Sequence, residues 1–173
     1  AQTLEGEPVY TYQDGQLVSM FDSIRGAAEQ YAYDAAGRLV HTTYGYGEVR
    51  SFEYDLRSRV TAEVLSVPGQ TLFDIGFEYD LANRLIRTLD RAAQEVLVEH
   101  VISDGELVQT RSGNGLERDY SYDAAGLPIA SETRNAQAQL IESTAIARTG
   151  ETNPVRLQIR VTTTTPLAST VEE

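Results

Sequence analysis

The stretch Tyr31-Ala32-Tyr33-Asp34-Ala35-Ala36-Gly37-Arg38-Leu39 decides the fold, because variants of it recur along the chain. Its two aromatic residues are two positions apart, so both rings lie on the same face of a β-strand. Aspartate followed by two residues and glycine favours a turn, since aspartate accepts hydrogen bonds from the backbone ahead of it and glycine tolerates a positive φ. Leucine then begins a second strand. Each copy of the stretch therefore predicts one β-hairpin.

Six copies of this stretch share one frame. Good copies occupy residues 31–39, 52–60, 77–85 and 120–128, and shorter, degenerate copies occupy residues 10–17 and 101–107. The second aromatic position falls at residues 12, 33, 54, 79, 103 and 122, which gives spacings of 21, 21, 25, 24 and 19. About six units therefore tile the chain from residue 8 to 130. The motif residues are Tyr10, Tyr12, Tyr31, Tyr33, Asp34, Gly37, Arg38, Phe52, Tyr54, Asp55, Arg59, Phe77, Tyr79, Asp80, Arg84, Tyr120, Tyr122, Asp123 and Gly126.

A second turn is expected between successive copies. The candidates are residues 26–29, 45–47, 67–70, 91–94, 112–115 and 135–138. Each unit then reads strand, turn, strand, turn, and the predicted fold class is all-β, a meander of antiparallel hairpins. The segment Leu89–His100 is rich in helix formers. We nevertheless interpret it as strand, turn and strand, because the repeat requires it and because Val96 and Val98 stand two positions apart, as on one face of a strand.

The C-terminal part carries the most regular strand pattern. Apolar and polar residues alternate strictly from Pro154 to Thr162, and the apolar residues make a candidate assembly strand, namely Val155, Leu157, Ile159 and Val161. Pro166 limits further pairing. The predicted organisation is an N-terminal extension (residues 1–7), the hairpin repeats (8–145), a linker with the C-terminal strand (146–166) and a tail (167–173).

Composition excludes several kinds of chemistry. All 14 basic residues are arginine, so there is no lysine for a P-loop or a Schiff base, and the absence of cysteine excludes disulfides and thiolate metal sites. The 26 acidic residues give a net charge of −12, which argues against binding nucleic acid or an anionic membrane. No apolar run is long enough to cross a bilayer, so membrane insertion is not expected. No pattern indicates a metal or a cofactor, and none is predicted.

The repeated Tyr-x-Tyr-Asp-x-x-Gly-Arg-Leu stretch resembles the YD repeat of the Rhs family. This family includes bacterial Rhs toxins, shell proteins of insecticidal toxin complexes, wall-associated surface proteins and the animal teneurins. The resemblance covers residues 8–145 and implies a spiralling antiparallel sheet, which closes into a hollow shell around a polypeptide in large members. The aspartyl self-cleavage site that precedes a toxin in Rhs proteins is not recognisable here. The resemblance therefore implies an architecture and transfers no catalytic residue.

The candidate chemical groups have structural interpretations. His41 and His100, the two histidines, each stand in a predicted strand without a partner motif, so neither is expected to be catalytic. The recurring aromatic residues are expected to form a packing ladder in the core. The aspartate of each copy is expected to form the turn and, in the first three good copies, to pair with the arginine that follows it. Enzymatic activity is therefore not predicted.

Three functions stay open from sequence alone. The first is an extracellular structural protein that self-associates into a fibre, sheath or surface layer through its sheet edges and its C-terminal strand. The second is a segment or small relative of an Rhs-type shell, which encloses or docks a polypeptide toxin. The third is a module that binds a glycan or a cell surface through exposed Tyr44 and Tyr46. The resemblance implies an extracellular or surface location, and we expect the same from Ala1-Gln2, which would suit a processed N-terminus.

Overall fold

A computed structural model describes residues 7–24, 26–148 and 157–162 of the chain. Within these ranges the regular secondary structure is β-strand, as the repeat predicts. The strands are β1 Val9–Gln13, β2 Gln16–Asp22, β3 Ala27–Tyr33, β4 Leu39–Tyr44, β5 Val49–Tyr54, β6 Val60–Val67, β7 Gln70–Tyr79, β8 Leu85–Asp90, β9 Glu95–Ser103, β10 Glu106–Ser112, β11 Glu117–Tyr122, β12 Pro128–Arg134, β13 Leu140–Arg148 and β14 Leu157–Thr162.

The strand order in the sheet equals the order in the sequence, with β1 and β14 at its two ends. The pairings from β1 to β7 and from β9 to β14 are antiparallel, which confirms the predicted all-β fold of antiparallel hairpins. The chain divides into two compact units: residues 1–78 with 89–94, and residues 79–88 with 95–173. We call the second strand of each motif hairpin its return strand. The boundary between a return strand and the next hairpin is called a seam.

Turns fall where the sequence predicts them, with one exception. The helix-rich segment is strand, turn and strand: β8 ends at Asp90, whose carboxylate accepts a hydrogen bond from the amide of Ala93 at 2.9 Å, and β9 begins at Glu95. The turn predicted at residues 26–29 was wrong, because β3 already begins at Ala27. That turn starts earlier, since the Asp22 carboxylate accepts a hydrogen bond from the amide of Ile24 at 2.9 Å.

A β-bulge recurs in the motif hairpins and was not anticipated from the sequence. In the third hairpin Glu53 pairs with Ala62 and Tyr54 pairs with Val60, which leaves Thr61 as the extra residue. Four other described hairpins shift register at the same place. The extra residue is β-branched in every one: Val18, Val40, Thr61, Val108 and Ile129. Each bulge raises the local right-handed twist at the same point of the repeat.

The aromatic ladder is not a buried core. Among the described residues, Ala62 is the buried apolar side chain and Thr42 the buried polar one. The motif aromatics of the inner strands are half-buried, whereas Tyr10 and Tyr12 on the end strand β1 are 50% and 63% exposed. The rings are packed by neighbouring strands of one sheet, and a ring on an end strand has such a neighbour on one side.

The C-terminal strand predicted from alternation is present as β14, which pairs antiparallel with β13. Leu157, Ile159 and Val161 lie in this strand, opposite Arg148, Ile146 and Thr144 in the register. Val155 lies outside the described residues, as do the predicted N-terminal extension up to residue 6 and the tail. No helix in the described part of the chain is long and apolar enough to span a bilayer.

Candidate functional site at the hairpin turns and seams

The motif aspartate organises each turn through both of its carboxylate oxygens. Asp34 Oδ1 accepts hydrogen bonds from the amides of Ala36 at 2.9 Å and Arg38 at 3.0 Å. Its Oδ2 accepts from Nε and Nη2 of Arg38, both at 2.7 Å. Asp55 Oδ2 accepts in the same way from Nε and Nη2 of Arg59. Asp80 Oδ2 accepts from Nε of Arg84. These findings confirm the predicted aspartate–arginine pairing.

Electrostatics at these turns favour the charged carboxylate. The pKa values of Asp34, Asp55 and Asp80 lie below the usual range of an aspartate. In each case the first cause is the hydrogen bond from the backbone amide of the paired arginine, with its guanidinium adding to the effect. A carboxylate that is held ionised as a hydrogen-bond acceptor suits a structural turn and is the opposite of a poised general acid.

The fourth good copy shows that the turn forms without arginine. Leu127 occupies the arginine position, yet Asp123 Oδ1 still accepts hydrogen bonds from the amides of Ala125 at 2.9 Å and Leu127 at 3.0 Å. The backbone bonds of the turn therefore depend on the aspartate. The arginine side chain adds a contact beyond these backbone bonds, and this contact reaches the neighbouring hairpin across a seam.

The second motif tyrosine connects each hairpin to the one before it. Its hydroxyl donates to the backbone carbonyl of the first apolar residue of the preceding return strand. The bonds are Tyr33 to Leu17 at 2.9 Å, Tyr54 to Leu39 at 2.7 Å and Tyr122 to Leu107 at 2.8 Å. The acceptor is a main-chain atom, so the bond depends on strand register and not on the identity of the acceptor side chain.

The motif arginine connects each hairpin to the one after it. Nη1 of Arg38 donates to the carbonyl of Asp55 at 3.0 Å, and its guanidinium carbon lies 4.7 Å from the ring centroid of Tyr54. Nη1 of Arg84 donates to the carbonyl of Gly105 at 3.0 Å. One guanidinium thus serves its own turn and the next hairpin at the same time. A lysine ammonium lacks the planar fork for this geometry, which gives part of the all-arginine composition a physical reason.

The two connections substitute for one another where the motif is degenerate. Gln16 and Glu106 stand in the arginine position, and the corresponding seams keep the tyrosine bond. The register places Ile102 opposite Leu107, so Ile102 stands in the second aromatic position, and not Ser103 as the sequence frame predicted. That seam keeps the bond from Arg84. Each of these seams therefore retains one of the two contacts. The sequence contained this signal in the complementary loss of arginine and tyrosine.

The remaining candidates are not brought together into a site. The Nδ1 atom of His41 lies 2.9 Å from the hydroxyl of Ser51, and that of His100 lies 3.2 Å from the hydroxyl of Thr110. Tyr46 is 83% exposed at the tip of a turn, whereas Tyr44, which was expected to be exposed, is half-buried at the end of β4. In the described ranges no three acidic or histidine side chains are placed to hold a metal ion.

Comparison with known families agrees with this geometry. Residues 10–49, which include the first two copies of the motif, match the family model described as RHS Repeat. These residues resemble an RHS repeat. No curated protein sequence matches the chain.

Solved structures with the same repeat fold come from Tc toxins. The chain resembles the Photorhabdus luminescens Tc holotoxin pore with the TccC3-D651A mutation, at a TM-score of 0.57 and 16% identity over 80% of this chain and 9% of that one. It also resembles the TcdB2-TccC3 crystal structure, at a TM-score of 0.58 and 17% identity over 80% of this chain and 10% of that one. The chain thus spans about a tenth of the length of the chains it matches, and at this identity the likeness shows the fold.

Proposed function

We propose that this RHS-repeat chain is a non-enzymatic, extracellular structural protein that associates with further copies through the edges of its sheet. The observation that carries the proposal is the construction of the seams. Each seam joins two hairpins through side chains that bind backbone carbonyls. Any strand with the matching register offers the same acceptors, so the sheet is suited to extension by more strands.

The end strand β1 supports extension at one edge. Val9, Tyr10 and Tyr12 are 58%, 50% and 63% exposed, while the equivalent aromatics of the inner hairpins are half-buried. Adding a strand beside β1 would cover these side chains and satisfy the row of backbone groups along that edge. An exposed end strand of this kind is a template for association.

A second candidate is a segment of an Rhs-type shell, which associates with other shell segments. The match to about a tenth of the Tc toxin chains favours it. In that setting the seams would join this segment to strands of neighbouring segments, and a polypeptide cargo would be a further partner. The two candidates use the same seam contacts and differ in the identity of the adjoining strand.

The state of assembly of the purified chain tests the proposal. Sedimentation velocity and negative-stain electron microscopy of the full chain should show polymers. A truncation that removes residues 153–173, and with them β14, should abolish these polymers. The matched control removes residues 163–173 and keeps β14. A full chain that remains monomeric at high concentration would refute self-association and leave the shell segment as the better candidate.

A further inference from the structure

We propose that β14 of one copy pairs antiparallel with β1 of a second copy, in the register of the internal seams, so that the two ends of the sheet are the two halves of one seam. This inference rests on the proposed self-association and specifies its partner, a second copy of the same chain. It also specifies which residues lie opposite each other.

The internal seams obey one register rule. On the return strand, the pairing residue lies two positions after the first apolar residue. Its partner across the seam belongs to the next hairpin and lies three positions before the second aromatic position of that hairpin. The three seams with a tyrosine bond give Ser19 opposite Gln30, His41 opposite Ser51, and Gln109 opposite Asp119. The rule holds at seams with arginine, glutamine or glutamate beside the turn, so it belongs to the backbone of the repeat.

Strand β14 is a return strand by its pairing. In the motif hairpins the first apolar residue of the return strand lies opposite the second aromatic position, as Leu39 lies opposite Tyr33. Leu157 begins β14 and lies opposite Arg148 in the same relation. Its outer edge is therefore the side on which the other return strands meet the next hairpin. Unlike them, β14 pairs with β13 without a bulge. Counting along β14 therefore gives Ile159 as the residue that pairs outward, whereas counting from its partner in β13 gives Gln158, opposite Ala147.

Strand β1 is the complementary half. Tyr12 occupies the second aromatic position, because it lies opposite Leu17 as Tyr33 lies opposite Leu39. In the inner hairpins the tyrosine at this position donates its hydroxyl to the preceding return strand. Tyr12 is 63% exposed on the end strand, on the edge where a preceding return strand would lie.

Applying the register rule to the two ends gives the pairing between copies. Ile159 of one copy lies opposite Val9 of the second, and the carbonyl of Leu157 accepts the hydroxyl of Tyr12. The edges differ from each other, so the contact is head-to-tail and repeats from copy to copy. Such heterologous contacts generate an open polymer unless the rotation closes a ring.

Disulfide trapping tests the register, since the chain contains no cysteine. Opposite Cα atoms of antiparallel strands are about 4.5–5.5 Å apart, within the span of a disulfide. A mixture of Val9→Cys and Ile159→Cys should give a covalent dimer on mild oxidation, and the double variant should give a ladder of oligomers. The matched comparison mixes Val9→Cys with Gln158→Cys, which tests the other register, one residue away from Ile159.

Tyr12→Phe provides a second measurement that leaves the fold of the chain intact. Loss of the hydroxyl should raise the critical concentration for polymerisation about three- to tenfold. Tyr10→Phe is the control and should leave it unchanged. Polymers that trap equally in both registers, or that ignore Tyr12→Phe, would overturn this pairing while self-association stands. A chain that never polymerises would overturn both.

Discussion

Removal of the Tyr54 hydroxyl tests whether the seams stabilise the fold. Tyr54→Phe keeps the ring, and with it the contact to the guanidinium of Arg38 at 4.7 Å. It removes the hydrogen bond from the hydroxyl to the carbonyl of Leu39, which is 2.7 Å long and partly buried. The substitution therefore separates the hydrogen bond across the seam from the packing of the ring.

The expected loss follows from the ordinary worth of such a bond. An intramolecular hydrogen bond contributes about 0.5–1.5 kcal/mol net, so Tyr54→Phe should lower the free energy of unfolding by about 1 kcal/mol. In a chain of this size that corresponds to a fall in Tm of roughly 2–4 °C. Tyr46→Phe is the matched control, because its side chain is 83% exposed at a turn tip and should change the stability by less than about 0.5 kcal/mol.

Urea denaturation followed by far-ultraviolet circular dichroism is the suitable assay. The chain has no tryptophan, and tyrosine fluorescence would change with the substitutions themselves. Comparing the free energies of unfolding of both variants with that of the wild type, under the same conditions, gives the contribution of the hydrogen bond across the seam. If Tyr54→Phe is no less stable than Tyr46→Phe, the hydroxyl bond does not stabilise the sheet and the interpretation of the seam fails.

Three further predictions concern the turns and the titrating groups. Ala138→Gly should stabilise the chain by up to about 1 kcal/mol in urea, because φ is +61° there; Gly37→Ala, at φ +79°, should destabilise it by about as much. The pKa of Asp55 is lowered in the folded state. The stability that its carboxylate contributes is therefore lost as the pH drops below about 4 toward the folded pKa, and Tm should fall over this range. The Tm of the Asp55→Asn variant should fall less over the same range. The hydrogen bond to Glu29 raises the pKa of Tyr31 to about 12, so its contribution to stability should be lost from about pH 10 upward. Tyrosinate absorbance should show that Glu29→Gln lowers this pKa toward the ordinary value of a tyrosine, because the hydrogen bond to Glu29 is its first cause.

Local chemistry made the hairpins predictable. Aspartate and glycine at fixed offsets specify the turn within five residues, and Asp55 with Arg59 lies within that range. The segment around Asp90 shows the same rule against helix propensity, since the repeat and the turn outweighed its helix-forming residues. What the turn residues dictate does not depend on the rest of the chain, and this part of the fold was predicted correctly.

Contacts between hairpins were not predictable in the same way. The Tyr54 hydroxyl reaches the Leu39 carbonyl only because strand register places it there, and a backbone acceptor leaves no trace in the sequence. The bulge at Thr61 is likewise a matter of register. Half-exposure of the aromatic residues also escaped prediction, because an alternating pattern shows which side chains share a face and not what covers that face.

The agreement between strand order and sequence order also bears on how the chain folds. Each strand pairs with the strand that follows it, so the sheet can grow by adding one short segment at a time, and the entropy of closing each loop stays small. All-β proteins are usually slow because distant segments must meet first. Here the sheet can elongate from any hairpin already formed, including one that has just left the ribosome.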